Sequence, residues 1–479
     1  MSRRSETIPA LPVTESALAQ PCTRTPWHRT ITAAQWRTLA AAKLGWMLDA
    51  MDFMLYAVAL GAIRASFGID DATAGRLATA TLLASGIGGI AFGYVGDRFG
   101  RTRALRWTIL IFSIASLGAA TAQTIVQLAL WRVVLGIGMG GEWASGAVLV
   151  SETWPAAHRN KASAIMQSGW ALGYILAAVL AAAVIGNAAS GHERWRWLFV
   201  AGALPALCTF WIRRHVAEPA TWVRPAAAAH RENPFRTLIG RGLRGRTIRV
   251  TLLAIAVQFA YWGLFFWLPS FLSRPVAQGG AGMGVVGSLG WLIPVQLGAY
   301  AGYLTFGWIA DAVGRRRTFV LFMIAAAIVA PLYGSLAGSR RGLMLVGPLL
   351  GYFGTGYFSM FGAFIAELFP ARVRATAQGT TYNIGRMAGA AGPFTIGALA
   401  TMPNVGLGLA LASTSAFFLL AAALVFTLPD RSGEALDETS HNSQVTIHKA
   451  GPVPIQTSHN AQVTIQKTKR PTFAIFGPG

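Results

Sequence analysis

Gly93-Tyr-Val-Gly-Asp97-Arg98-Phe-Gly100-Arg101 separates two apolar stretches in the first half of the chain, and Gly307-Trp-Ile-Ala-Asp311-Ala-Val-Gly314-Arg315 separates two in the second half. Their aspartates are 214 residues apart. A second pattern, Glu-x-x-Pro-x-x-x-Arg, begins at Glu152 and again at Glu367, 215 residues later. Two unrelated patterns with nearly the same offset indicate a duplicated unit, an arrangement that occurs in membrane proteins built from two homologous halves.

The composition is that of a membrane protein. The chain is 54% hydrophobic and 12% charged, with a mean hydropathy of +0.48, whereas a soluble domain is about 25% charged. Apolar stretches of about 20 residues are long enough to cross a bilayer core. We therefore predict an all-α membrane protein with twelve transmembrane helices in two six-helix halves related by a pseudo-twofold axis. The predicted spans are 40–64, 73–95, 104–122, 125–151, 162–187, 196–213, 248–272, 284–309, 317–337, 343–367, 376–400 and 404–427.

The net charge of +22 reflects topology rather than nucleic-acid binding. Most of the 40 Lys and Arg residues lie in the termini and in the loops after helices two, four, six, eight and ten. Because basic loops remain in the cytoplasm, both termini are predicted to be cytoplasmic. We expect a multi-pass protein of the bacterial inner (plasma) membrane that contacts lipids, binds no nucleic acid and is monomeric.

The predicted domains follow these spans. They are a cytoplasmic N-terminal segment (1–36), two six-helix bundles (37–213 and 248–428), a basic cytoplasmic connector (214–247) and a polar tail (429–479). The tail contains a tandem repeat, Ser440-His-Asn-Ser-Gln-Val-Thr-Ile447 and Ser458-His-Asn-Ala-Gln-Val-Thr-Ile465. So short a unit builds no core, so the tail is predicted to be disordered, with an interaction segment as the alternative.

The two loop motifs resemble the major facilitator superfamily, whose loop between helices two and three carries Gly-x-x-x-Asp-Arg-x-Gly-Arg. From the residues themselves, Gly100 permits a tight turn, and Asp97 pairs with an arginine only while the cytoplasmic side is shut. Arg101 and Arg159 are expected to meet Glu152, forming a latch on a two-state equilibrium. The alternative is that these charges only anchor loops at headgroups. The predicted gate comprises Gly93, Asp97, Arg98, Gly100, Arg101, Glu152, Arg159, Asp311, Gly314, Arg315, Glu367 and Arg374.

The two copies of the loop motif differ at one position. Ala312 stands in the second copy where the first has Arg98. This departure predicts unequal latches, with the N-terminal one stronger.

Ionisable residues within the spans are candidates for proton coupling. Asp49 and Asp52 share one face of helix one, and helix four contains Arg132 and Glu142. The rise per residue places Asp52 and Arg132 at one depth. The sugar porters, which this region resembles, use such a pair as a proton switch; a permanent salt bridge is the alternative. Glu142 and Asp49 are predicted as further relay carboxyls or, alternatively, as helix–helix contacts.

Arg386 is the predicted substrate anchor. It lies near mid-membrane in Thr381-Tyr-Asn383-Ile-Gly-Arg386, where a guanidinium requires an anion. A substrate carboxylate bound bidentately would supply it. Pairing with Asp49 or Glu142 and a purely structural role are the alternatives. Asn383 of the same segment is a further substrate-binding candidate. Other candidates, each equally a helix-packing residue, are Gln167, Gln258, Tyr261, Gln296 and Tyr300.

These features predict a secondary active transporter. The pattern is similar to that of the metabolite, sialate and aromatic-acid:proton symporter branches of the superfamily. It implies proton-coupled symport of a small organic carboxylate (a sialate, an aromatic acid, or a short hydroxy- or dicarboxylic acid) by alternating access. A sugar:proton symporter and a transporter-like nutrient receptor are the alternatives. No nucleophile–base set, metal-ligand spacing or nucleotide loop occurs, so we expect no enzyme, no metal and no cofactor besides the coupling proton.

Overall fold

The computed structural model describes residues 26–69, 71–185, 192–219, 222, 233–273, 275–276, 280–400, 402, 405–432 and 436. Residues 1–25, much of the connector and the tandem repeat lie outside this part of the chain. Within it the regular structure is helical and contains no strand. Each of the twelve predicted spans corresponds to one helix or to one helix in two segments, so the predicted fold class is confirmed in its secondary structure.

The first half contains α1 to α6. Their bounds are α1 Ala33–Phe67, α2 Asp71–Phe99, α3 Arg101–Ala120, α4 Ile125–Thr153, α5 Arg159–Gln167 with Gly169–Ile185, and α6 Trp195–Ala201 with Ala206–His215. The second half contains α7 Arg244–Phe265 with Leu268–Ser273, α8 Gly284–Val313, α9 Arg315–Ser335, α10 Arg340–Gly356 with Ser359–Leu368, α11 Arg374–Gly389 with Ala391–Ala400, and α12 Gly406–Ala412 with Ser415–Leu424. A short connector helix, Pro234–Ile239, precedes α7.

Eight helical segments of the described chain are long and apolar enough to cross a membrane, judged by length and composition. α1 is longer than its predicted span: the helix includes the polar residues Gln35, Arg37 and Thr38 at its start and continues for three residues past position 64 at its end. The Thr32 side chain caps its start and Gly68, at φ 62°, ends it. A left-handed residue after the last turn is the usual stop signal for a helix, and glycine adopts it without steric cost.

The motif glycines let the halves approach each other. A Cβ on Gly93 would lie 2.6 Å from the carbonyl oxygen of Ala375 in α11, and one on Gly307 would lie 2.9 Å from the carbonyl oxygen of Asn160 in α5. Small residues allow such backbone contacts between membrane helices. The two copies of the motif therefore place α2 against α11 and α8 against α5.

Each motif also contains a turn glycine. Gly100 has φ 112° and Gly314 has φ 96°, values that residues other than glycine rarely adopt. Both glycines end one helix and begin the next, so the arginine that follows becomes the first residue of α3 or of α9. The tight turn predicted at Gly100 is observed, and Gly314 makes the same turn in the second copy. We call the side of the protein that carries these turns the charged face.

Candidate functional site

Arg101 is the centre of the first latch on the charged face. Its Nε donates to Glu152 Oε2 at 3.0 Å, and its Nη2 lies 3.0 Å from Asp97 Oδ1. Nη2 also donates at 2.8 Å to the carbonyl oxygen of Ala371 in the second half. Arg101 is fully buried, so the guanidinium depends on these acceptors for compensation of its charge.

Two further contacts of the first latch cross between the halves. Arg374 Nη1 donates to Glu152 Oε1 at 2.7 Å. Asp97 accepts hydrogen bonds from the backbone N–H groups of Ala375 at 3.1 Å and Thr376 at 2.7 Å. These N–H groups belong to the first turn of α11, where the helix dipole favours a negative charge. The predicted arginine partner of Asp97 is therefore joined by a helix N-terminus in the opposite half.

The second latch is centred on Glu367. Arg315 reaches both of its oxygens, at 2.5 and 3.1 Å, and Arg159 Nη1 donates to Oε1 at 2.7 Å. The expected contact of Arg159 with Glu152 is therefore wrong. Arg159 pairs instead with Glu367 of the second half, just as Arg374 of the second half pairs with Glu152. Each half thus supplies one glutamate and receives one arginine from the other half.

The two latches differ at their aspartates. The side chain of Asp97 is 2% exposed, whereas the side chain of Asp311 is 22% exposed and contacts Asn160 Nδ2 at 2.9 Å and Lys161 Nζ. Arg98, which suggested the difference, is exposed on the charged face with its guanidinium 5.9 Å from the Phe99 ring. The difference between the two latches in the structure therefore lies in the burial of their aspartates.

We expect Asp97→Asn to favour opening of the charged face more than Asp311→Asn. Loss of a buried charge-assisted contact should shift the open–closed equilibrium by about tenfold, and loss of the exposed pair by less than about threefold. The measurement is the maleimide-labelling rate of Ser163→Cys, a buried position in α5, in a Cys22→Ser, Cys208→Ser background. Equal rates in the two variants would contradict the asymmetry.

Sequence reasoning missed two connector residues at the first latch. Glu218 accepts hydrogen bonds from the backbone N–H groups of Thr102 and Arg103, each at 3.1 Å, and so caps α3. Trp222 Nε1 donates to the carbonyl oxygen of Asp97 at 2.9 Å. An acidic residue within a basic connector was the available signal, because a buried helix start attracts a carboxylate.

Asp52 and Arg132 lie together within the first half, as predicted, but no direct hydrogen bond joins them. Asp52 Oδ1 accepts from Ser116 Oγ at 2.5 Å, and Oδ2 has no hydrogen-bond partner. None of the three Arg132 nitrogens has one either, and the guanidinium lies 4.5 Å from the Tyr56 ring centroid. A permanent salt bridge, the alternative interpretation, is therefore not what this conformation contains.

Asp49, Glu142 and Arg386 form a second buried group, which spans the two halves. All three are at most 2% exposed, and both carboxylates act electrostatically on Arg386. Both Glu142 oxygens, Oδ2 of Asp49 and Nη1 of Arg386 lack hydrogen-bond partners. The Arg386 guanidinium also lies near two aromatic rings, 5.4 Å from the ring centroid of Tyr382 and 6.0 Å from that of Trp46. It thus keeps a donor available at the protein centre.

A small cavity lies beside Arg386. Most of its wall is aromatic. It is lined by Trp46, Gln167, Trp170, Gln258, Tyr261, Trp262, Tyr303, Phe358, Tyr382 and Arg386. Of the predicted substrate residues, Gln167, Gln258, Tyr261 and Arg386 therefore meet at one site.

Several polar groups of the wall already have partners. Trp170 Nε1 donates to Tyr261 Oη at 3.0 Å, and Trp262 Nε1 donates to Gln258 Oε1 at 3.1 Å. Two buried donors on the wall, Gln258 Nε2 and Arg386 Nη1, have no partner. The cavity thus offers two donors within a largely aromatic surround.

Three predicted substrate residues are not among those that line the cavity. Asn383 packs its amide against Gly89 of α2 and donates to the carbonyl oxygen of Gly379 in its own helix. Tyr300 lies under the Lys43 ammonium, 5.5 Å from its ring centroid, and Gln296 is buried elsewhere in α8. Helix packing describes all three residues better, and it was the alternative interpretation for Tyr300 and Gln296.

Comparisons with known proteins agree with this architecture. The Major Facilitator Superfamily model matches residues 44–304 and 283–476. The cis,cis-muconate transport protein of Acinetobacter baylyi is 32% identical over 77% of this chain and 88% of its own length. The sialic acid transporter NanX of Escherichia coli is 29% identical over 85% of this chain and 98% of its own.

A solved structure is also similar in fold. The proton:xylose symporter bound to 6-bromo-6-deoxy-D-glucose superposes with a TM-score of 0.69. The match covers 86% of this chain and 99% of the symporter at 17% identity. At this level of identity the likeness concerns the fold, and it supports twelve helices in two halves.

Proposed function

The chain belongs to the major facilitator superfamily, and from this premise we propose that it is a proton-coupled symporter of a small organic carboxylate. Membership confirms the family resemblance and the two-half helical fold. Its relatives are transporters, which confirms the prediction that the chain is not an enzyme. We also propose that the charged face is cytoplasmic, with both termini on that side of a bacterial inner membrane.

Arg386 carries the proposal. Its side chain is 2% exposed, lines the central cavity and keeps Nη1 unpartnered. A buried guanidinium without a bonded anion is costly, and a carboxylate is the ligand that matches its fork geometry. The neighbouring Gln258 Nε2 is a second unpartnered donor. A carboxylate in the cavity would satisfy donors that the protein itself leaves open.

The relatives support an organic acid over a neutral sugar. One is a transport protein for cis,cis-muconate, which is a dicarboxylate, and another carries sialic acid. The sugar transporter among the compared structures shares the fold at 17% identity, and fold alone does not imply function. Among acids, the aromatic wall favours a flat body with few hydroxyls, because unpaired hydroxyls are costly to bury.

The balance of buried charges suggests how a proton is coupled. The centre holds three acids, Asp49, Asp52 and Glu142, and two arginines, Arg132 and Arg386. Because uncompensated charge is expensive inside a membrane, this set is close to neutral when one acid is protonated. A bound carboxylate adds one negative charge at Arg386. A second proton, entering on Asp52 with Asp49 or Glu142 as relay carboxyls, would restore the balance, so substrate and proton would bind together.

Alternating access would then follow from the latches. The charged face is held by ion pairs that cross between the halves, from Arg374 to Glu152 and from Arg159 to Glu367. Release on this side requires both pairs to separate while the halves rock about the cavity. Proton loss from the acids to the cytoplasm would free Arg386 of its substrate, because the carboxylates again compete for its charge.

A thermal-shift series tests the proposal. The purified protein is heated with benzoate, cis,cis-muconate, sialic acid or xylose, alongside Arg386→Ala and the exposed-arginine control Arg341→Ala. A saturating acid should raise Tm by about 2 to 5 °C in the wild type and the control, and not in Arg386→Ala. Stabilisation of all three proteins by xylose alone would favour the sugar symporter instead.

A further inference from the structure

The closest aromatic contact between the two halves joins α4 to α11 in the described chain. The rings of Trp143 and Tyr382 stack with centroids 3.6 Å apart and an interplanar angle of 19°. Both side chains are at most 3% exposed. Phe358 and Phe361 of the second half flank the Tyr382 ring edge-on, at 6.4 and 6.1 Å.

The stack lies deeper than the latches. Along α4, Trp143 is nine residues from Glu152, or about 13 Å; along α11, Tyr382 is eight residues from Arg374, or about 12 Å. Tyr382 lines the central cavity, whereas Trp143 is not among the lining residues. The ring pair therefore separates the cavity from the layer of ion pairs on the charged face.

Both rings contact residues that line the cavity. Trp143 Nε1 donates to Gln167 Oε1 at 3.0 Å, and Gln167 lines the cavity. Tyr382 carries the Arg386 guanidinium 5.4 Å above its ring. Trp143 also directly follows Glu142 in α4. A ligand on Arg386 would therefore touch the same ring that closes the floor of the cavity.

The internal repeat does not duplicate the Trp143–Tyr382 stack. The 215-residue offset that relates Glu152 to Glu367 pairs Trp143 with Phe358 and Gln167 with Tyr382. The positions that the repeat relates to Trp143 and Tyr382 are therefore occupied by Phe358 and Gln167. The ion-pair latches occur in both halves, whereas the ring stack has no second aromatic pair at the related positions.

We infer that the Trp143–Tyr382 stack is an inner gate, which seals the cavity from the charged face until the halves rock apart. The role of this gate in transport rests on the proposed function, whereas its location follows from the ring geometry alone. Stacked aromatic pairs contribute beyond the area they bury, so removing one ring weakens the seal without altering the charges of either latch.

The test uses the full-length Ser163→Cys protein in the Cys22→Ser, Cys208→Ser background, labelled by maleimide without substrate. Ser163 lies between the stack and the latches, four positions along the chain from Gln167 and four from Arg159. It is 7% exposed, and its hydroxyl donates to the carbonyl oxygen of Ser359 at 2.6 Å. Trp143→Ala and Trp143→Leu should each raise the labelling rate by roughly fivefold, whereas Trp143→Phe should stay within about twofold.

Phe259→Ala is the matched control. It removes another stacked pair, Phe259–Phe417 at 4.0 Å and 23°, which lies within the second half alone, and it should leave the labelling rate unchanged. A parental rate in folded Trp143→Leu protein, or an equal rise in Phe259→Ala, would overturn the inner gate. Because the readout needs no substrate, failure of the thermal-shift series would remove the carboxylate proposal and leave this result standing.

Discussion

Arg386→Ala should nearly abolish uptake of organic acid into reconstituted vesicles. The variant removes the buried guanidinium beside the cavity, whose Nη1 awaits an acceptor. Loss of a charge-assisted, bidentate contact costs about 3 kcal/mol, which lowers kcat/KM on the order of 100-fold. Uptake of labelled benzoate or cis,cis-muconate, normalised to the amount of inserted protein, measures the effect.

Two further variants separate binding from folding in that experiment. Arg386→Lys keeps the charge and loses the planar fork, so it should raise KM while retaining some uptake. Arg341→Ala removes an exposed arginine at the start of α10 and should transport as the wild type does. Uptake of both acids by Arg386→Ala at the wild-type rate would place the carboxylate site elsewhere.

Asp52→Asn should abolish accumulation driven by a pH gradient while leaving exchange of labelled for unlabelled substrate. In the structure Asp52 keeps Oδ2 unpartnered beside Arg132, whose nitrogens are also unpartnered. An amide cannot carry the proton. One pH unit, acidic outside, supplies about 1.4 kcal/mol per proton, enough for about tenfold accumulation in the wild type. In vesicles with the variant, uptake should stop when the substrate concentrations inside and outside are equal.

The sign of the pH dependence follows from this scheme. Uptake should rise as the outer solution is acidified and disappear when the gradient is reversed, because the proton and the carboxylate travel together. Ser116→Ala is the matched control: it removes the 2.5 Å hydrogen bond to Asp52 and leaves a carboxyl that titrates. Gradient-driven accumulation by Asp52→Asn equal to that of the wild type would exclude Asp52 as the coupling group.

Local patterns were sufficient for much of the fold. Apolar stretches of bilayer length located all twelve helices, and the repeated motifs located the two turns at Gly100 and Gly314. The helix ends were less accurate, since α1 runs from Ala33 to Phe67 rather than over 40–64. Polar residues continue a transmembrane helix into the interface, where hydropathy no longer marks its end.

The partners of the charged residues were harder to predict. Arg159 was expected to meet Glu152, but it crosses to Glu367. Both glutamates have the same local sequence pattern, and the choice between them depends on which helix ends the duplicated halves bring together. The same limit applies to Asn383, whose amide faces Gly89 of α2 rather than the cavity.

Sequence alone determined that this chain has two related helical halves, buried charges in α1, α4 and α11, and acidic and basic residues at repeated turns. These properties depend on neighbours along the chain: apolar length, spacing and the offset of the repeat. Tertiary structure alone decided which arginine meets which glutamate and which rings enclose the cavity. It also decided that Trp143 stacks on Tyr382, because residues so distant in sequence meet only through the packing of one half against the other.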